Sequence, residues 1–170
     1  MPYITRADLA DSPGALELSQ VASDEHRPQV LAELLDAWLR GADVSAWPPE
    51  EIAAAERAAA RIDTAVRDAG SLIDGYLAKR GYALPLFPVP PLVSVWARAI
   101  ARFLLHKDRT QLESKDPIAR GYTDAVRLLQ QTADGKFSLG IADSVAVDKT
   151  DARFSSPPSV FGRSELTAFR

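Results

Sequence analysis

The chain has 170 residues, 46% of them apolar, with 20 basic against 23 acidic side chains and a net charge of −3. That length and composition suit one domain with a real core, argue against wholesale disorder, and supply no bulk positive charge to hold a nucleic acid. The absence of cysteine excludes disulfides, thiolate chemistry and cysteine zinc sites.

At the N-terminus Thr5 is placed to cap a short turn through Leu9, and Asp11-Ser12-Pro13-Gly14 follows as a turn cluster. A helix is expected over 28–39, with Pro28 at its first position and Gly41 just past its end. Its apolar residues Val30, Leu31, Leu34, Leu35, Trp38 and Leu39 fall three and four apart, so one face buries.

Pro48-Pro49-Glu50-Glu51 opens the next and longest helix, over 50–80. Ile52, Ala55, Ala59, Ile62, Val66, Ala69, Ile73 and Tyr76 alternate spacings of three and four, which makes a two-helix packing seam. Gly70 and Gly75 weaken its second half, and a bend is expected near Gly70-Ser71. Lys79 and Arg80 suit the C-terminal dipole, and Gly81 stops the helix. The uncharged, proline-loaded stretch 81–91 cannot continue a helix and reads as a stiff connector, which makes the helices on either side an antiparallel pair.

The third major helix is expected over 91–107, with Val93, Trp96, Ala97, Ile100, Phe103 and Leu104 as its core stripe. Asp116-Pro117 opens the fourth; Ile118, Tyr122, Ala125, Val126, Leu129 and Ala133 share a face, and Asp134-Gly135 ends it. Beyond it Phe137, Leu139 and Ile141 alternate, as do Val145 and Val147, which suits two short strands or an extended arm. Phe154, Phe161 and Phe169 are regularly placed apolar anchors around the linker-like Ser155-Ser156-Pro157-Pro158.

The fold class is therefore mainly α: an antiparallel helical bundle of one long bent helix and three shorter ones, with an extended C-terminal arm able to carry short β-strands. Residues 1–135 form the helical domain, with its core at 49–134 and an N-terminal elaboration at 11–48; residues 136–170 form the arm. No apolar stretch suits a signal peptide, and no window approaches the ~18 apolar residues of a membrane span, so a soluble protein made in the cytoplasm is expected.

Catalytic chemistry finds little support. Glycine-rich phosphate loops, a Gly-x-Ser-x-Gly elbow and a paired-carboxylate motif are missing. His26, after Asp24-Glu25, reads as a loop histidine, because the helical spacing of a di-metal bundle is absent. Asp63, Asp68 and Asp74 interleave with Arg61 and Arg67 and read as solvent-facing charge. No enzyme, cofactor or metal is expected.

Charge is uneven along the chain. Residues 1–49 carry 3 basic and 8 acidic side chains, whereas 98–136 carry 8 basic and 5 acidic. Within the second segment Arg98, Arg102, His106 and Arg109 recur every three or four residues on the face opposite Trp96 and Ile100. That stripe is open to three readings: a solvated helix face, a subunit interface pairing with acidic groups of an adjacent copy, or a phosphate-tracking surface. No aromatic stacking set accompanies the third.

Several blocks carry a family resemblance: Tyr3-Ile4-Thr5-Arg6-Ala7-Asp8-Leu9, then Ile73-Asp74-Gly75-Tyr76-Leu77, Leu84-Pro85-Leu86, Pro90-Pro91-Leu92 and Ala99-Ile100-Ala101-Arg102-Phe103-Leu104-Leu105-His106. Gly135-Lys136-Phe137-Ser138-Leu139-Gly140 and Val160-Phe161-Gly162-Arg163-Ser164-Glu165-Leu166 continue the series. In order and spacing the chain resembles the Mu-like bacteriophage family of small head-tail joining proteins, departing from it between Asp11 and Pro49. The resemblance implies a head-tail connector or adaptor of the virion. It implies a homo-oligomeric, dodecameric ring below the portal protein, contact with a tail-completion or tail-tube protein, and DNA passing through without sequence-specific binding. It brings no catalytic residues. Phe154, Phe161, Arg163, Leu166 and Phe169 are then the candidates for binding the portal or a neighbour. The competing expectation is a helical DNA-binding or packaging accessory protein that uses the Arg98 to Arg109 face.

Overall fold

Helix ends are set by local chemistry. In the computed structural model, which describes residues 3–23, 28–106 and 116–141, Thr5 and Asp8 form a reciprocal capping box that starts α1, Arg6–Leu9. A single wide turn, Ala10–Gly14, in which Ser12 leaves the helical conformation, leads into α2, Ala15–Ala22. Then come α3, Ala32–Arg40, α4, Pro49–Arg80, α5, Pro91–His106, and α6, Pro117–Ala133. The fold is mainly α, and no strand occurs among the described residues.

The long helix matches the expected span and continues through Gly70 and Gly75 over 32 residues, about 48 Å at ~1.5 Å per residue. Gly81 closes it with φ +90, its N–H and that of Tyr82 reaching back to Leu77 and Ala78; glycine holds this left-handed conformation without a Cβ penalty. Asp116 caps α6 by accepting from the Ile118 N–H at 2.7 Å, with Pro117 as the first helical residue. Asp116→Ala is expected to remove about 1 kcal/mol of stability in denaturant titrations, the usual worth of such a cap.

α4 is the spine. Its seam residues Ala55, Ala59, Ile62, Val66, Ala69 and Ile73 are all buried, and α5, α6 and the N-terminal helices pack around it. The end of α5 lies beside the first half of α4, where Leu104 and Leu105 share a surface groove with Ala60, Thr64 and Ala65. Its start lies beside the second half, where the N-terminal segment bridges the two helices. Tyr3 donates its hydroxyl to Asp74 of α4, and its carbonyl accepts from Ser94 Oγ of α5 at 3.0 Å. The pair is therefore antiparallel. α6 runs back along α5: Tyr122 stacks on Phe103 with ring centroids 4.1 Å apart, and Lys79 bonds Asp134 at 3.2 Å. Trp96 and Ile100 are 3% and 0% exposed, inside the core as their stripe requires.

Three departures from the expected elements have physical causes. The helix expected from Pro28 begins only at Ala32, because residues 28–31 are stitched to the end of α2. The Val30 N–H donates to Ser23 Oγ at 3.0 Å and Gln29 Nε2 to Ser19 Oγ at 3.0 Å. Leu31 then stands at the start of α3 in an extended conformation. The second departure is α2 itself, unheralded by any side-chain cap at Gly14. The third is at 136–141, where Phe137, Leu139 and Ile141 use their alternation to lay one side of the chain on the bundle without β pairing. Phe137 tilts against Trp96 with centroids 6.1 Å apart.

Candidate functional site

α2 and α5 bring together one charged cluster. Glu17 sits on the first turn of α2, where a carboxylate complements the N-terminal dipole. Arg102, on α5, grips it with a fork: Nε to Oε1 at 2.6 Å and Nη2 to Oε2 at 2.7 Å. His106, one turn further on, lies 2.8 Å from Oε1 through Nε2. An ionised carboxylate only accepts, so that ring nitrogen carries the proton. Burial pushes the Glu17 carboxyl up, but the hydrogen bonds from Arg102 and His106 outweigh it and hold the group below its ordinary value. The same pairing raises the Arg102 guanidinium.

The stripe read from the sequence is thus partly consumed inside the chain. Arg102 and His106 face the acidic N-terminal third of their own molecule. Arg98 is half-buried with its Nε sequestered and without a hydrogen-bond acceptor. It lies near Asp8, whose carboxyl is held down first by the Thr5 N–H and then, against burial, by the Thr5 side chain and Arg98. Arg109 lies outside the described residues, as do His26 and the arm residues Phe154, Phe161, Arg163, Leu166 and Phe169. Asp63 and Asp74 do more than face solvent: Asp63 lies 3.8 Å from Arg6, and Asp74 accepts from the Tyr3 hydroxyl. That phenol is raised by burial and by the neighbouring carboxylate.

Chemically the cluster is a clamp. It has a fully engaged carboxylate, and no described residue offers a nucleophile hydrogen-bonded to its histidine. Among the described residues no group of three or more acidic or histidine side chains gathers to hold a metal ion. Glu17→Gln should cost about 1 to 2 kcal/mol, less than a fully buried pair because the Arg102 side chain is 37% exposed. The lowered carboxyl fixes the sign with pH. The advantage of the native chain over Glu17→Gln is fully present above the unfolded carboxyl value of 4.5 and is lost as pH falls through the lower folded value. Thermal unfolding of both proteins across that range checks it.

A second surface was not anticipated. Phe87 in the connector is 89% exposed, Leu84 38%, and on the first turns of α5 Leu92 and Val95 are 38% and 54% exposed. The flanking Leu86 is buried and Val89 packs on the core. The connector is therefore anchored through Leu86 and Val89 and offers Leu84 and Phe87 outward.

The profile of the family described as Bacteriophage Mu, Gp36 matches residues 3–156. The chain is 35% identical over 126 residues to the Mu-like prophage FluMu protein gp36 of Haemophilus influenzae, covering 73% of this chain and 84% of that protein. It is 34% identical over 106 residues to Gene product J of Escherichia phage Mu, covering 61% of this chain and 72% of the phage protein.

Proposed function

The chain belongs to the Bacteriophage Mu Gp36 family, and from that membership we propose that it is a structural head-tail connector of a tailed bacteriophage. In this reading it forms a homo-oligomeric ring below the portal protein, at the head-tail interface of the virion, and meets a tail-completion or tail-tube protein on the other side. The ring is dodecameric, and DNA passes through it without sequence-specific contact. Its work is mechanical, with no reaction to catalyse.

The observation that carries the reading is the helix-connector-helix unit of α4 and α5. Its two helices are closely packed, its Arg102 is held by Glu17 of α2, and it presents apolar side chains at one end. Such a unit suits repeated side-by-side packing and end-on docking better than it suits an active site. No described helix is long and apolar enough to cross a membrane.

A phage or prophage lacking the chain should accumulate filled heads and finished tails that fail to join, with joining restored when the purified protein is added. Infectious tailed particles formed without it would overturn the proposal. The competing DNA-binding reading loses ground because Arg102 and His106 are already engaged by Glu17. It requires affinity for duplex DNA that falls steeply with salt, whereas a connector requires none.

A further inference from the structure

The exposed apolar patch at the connector end needs an occupant, and the chain itself contains one. We propose that Leu84, Phe87, Leu92 and Val95 form the docking site for the C-terminal arm of a neighbouring copy, received through the segment 154–161. This rests on the ring reading above and names the surface that would close it.

Phe87 is the most exposed large apolar side chain among the described residues. Together with three further exposed apolar residues within the connector and the start of α5, it makes a concentration that a solitary protein has no reason to leave in water. The chain leaves the described structure at this same end. Phe137 lies on Trp96 near the start of α5, Asp134 is tied to Lys79 at the end of α4, and Ile141 still packs on the core.

Length then selects between the chain's own patch and its neighbour's. After Ile141, residues 142–153 contain no leucine, isoleucine or aromatic residue, and extended at ~3.3 Å per residue they reach about 40 Å. An arm returning to its own patch, close to where it departs, has no use for such a spacer. Between the anchors Phe154 and Phe161 lies Pro157-Pro158, which favours extended chain over a tight reversal. A spacer followed by a stiff, phenylalanine-flanked segment is built to cross to the next copy, and around a ring each arm's contribution multiplies.

The chain has no cysteine, so introduced thiols report alone. Full-length Ala83→Cys, beside the patch, and full-length Ser159→Cys, between the arm anchors, are co-assembled and oxidised. The expected result is disulfide-linked dimers containing one chain of each kind. The double variant should give a ladder of linked chains. Adding Phe87→Ser should lower the linked fraction about tenfold or more, because a large apolar side chain then stays in water. It should leave the fold intact, since that side chain touches little of its own molecule. A double variant that forms only an intrachain disulfide would overturn the inference, and so would the absence of any link. Rings that assemble without the mixed disulfide would sink this inference alone; heads and tails that join with the protein absent would sink the ring reading instead.

Discussion

Trp96→Ala is expected to lower the free energy of unfolding by about 3 to 5 kcal/mol, the range for emptying a buried aromatic site. Trp96 is 3% exposed on α5 and meets Phe137 of the segment after α6. Its loss leaves Phe137 without the ring it rests on, and a close-packed core relaxes only partly into such a space. For a protein of this size the midpoint should fall by roughly 6 to 20 °C. Calorimetry decides it, and an unchanged transition would mean that the helices pair in some other way. Phe137→Ala, at the rim of the same contact, should cost clearly less.

Deleting residues 142–170 should have the opposite signature. Every buried core residue among the described ones remains, so the change in stability should stay below about 1 kcal/mol, a few degrees in the midpoint. Function should vanish: no infectious particles should arise from a phage carrying only the truncated chain. Circular dichroism with heating measures the first outcome and plaque assays the second. Joined particles from the truncation would remove the arm from the mechanism, and a collapsed transition would show that the arm belongs to the core.

The elements legible in the sequence are those with strong punctuation. Pro48-Pro49-Glu50, Gly81 and Asp116-Pro117 mark their helix ends directly, and α4 and α6 begin and stop where those residues require. α2 had no such marks. Gly14 offers no side-chain cap, and Leu16, 64% exposed, spoils the apolar spacing. Pro28 misled because Ser19 and Ser23 draw the following residues into an extended strap, a tertiary effect that propensity does not encode. The charged cluster was half legible. Arg102 and His106 stood out by spacing, whereas Glu17 lies 85 and 89 residues away in the chain on the helix that was missed. Its only advance signal was the acidic balance of residues 1–49. The outward set of Phe87, Leu92 and Val95 escaped notice because apolar residues beside prolines read equally well as core.

The burial of Tyr3 and Ile4 governs the order in which the molecule can be finished on the ribosome. Tyr3 settles against Asp74 and Ser94, at separations of 71 and 91 residues. When Tyr3 leaves the exit tunnel, neither Asp74 nor Ser94 has yet been made. At about 5 to 20 residues per second, this segment waits roughly 5 to 20 s before its cradle is complete. Helices within the first third can form early from local contacts, but Ile4, 3% exposed in the finished protein, stays uncovered through that interval. Every nascent chain thus carries an apolar segment that waits for α4 and α5 to cover it.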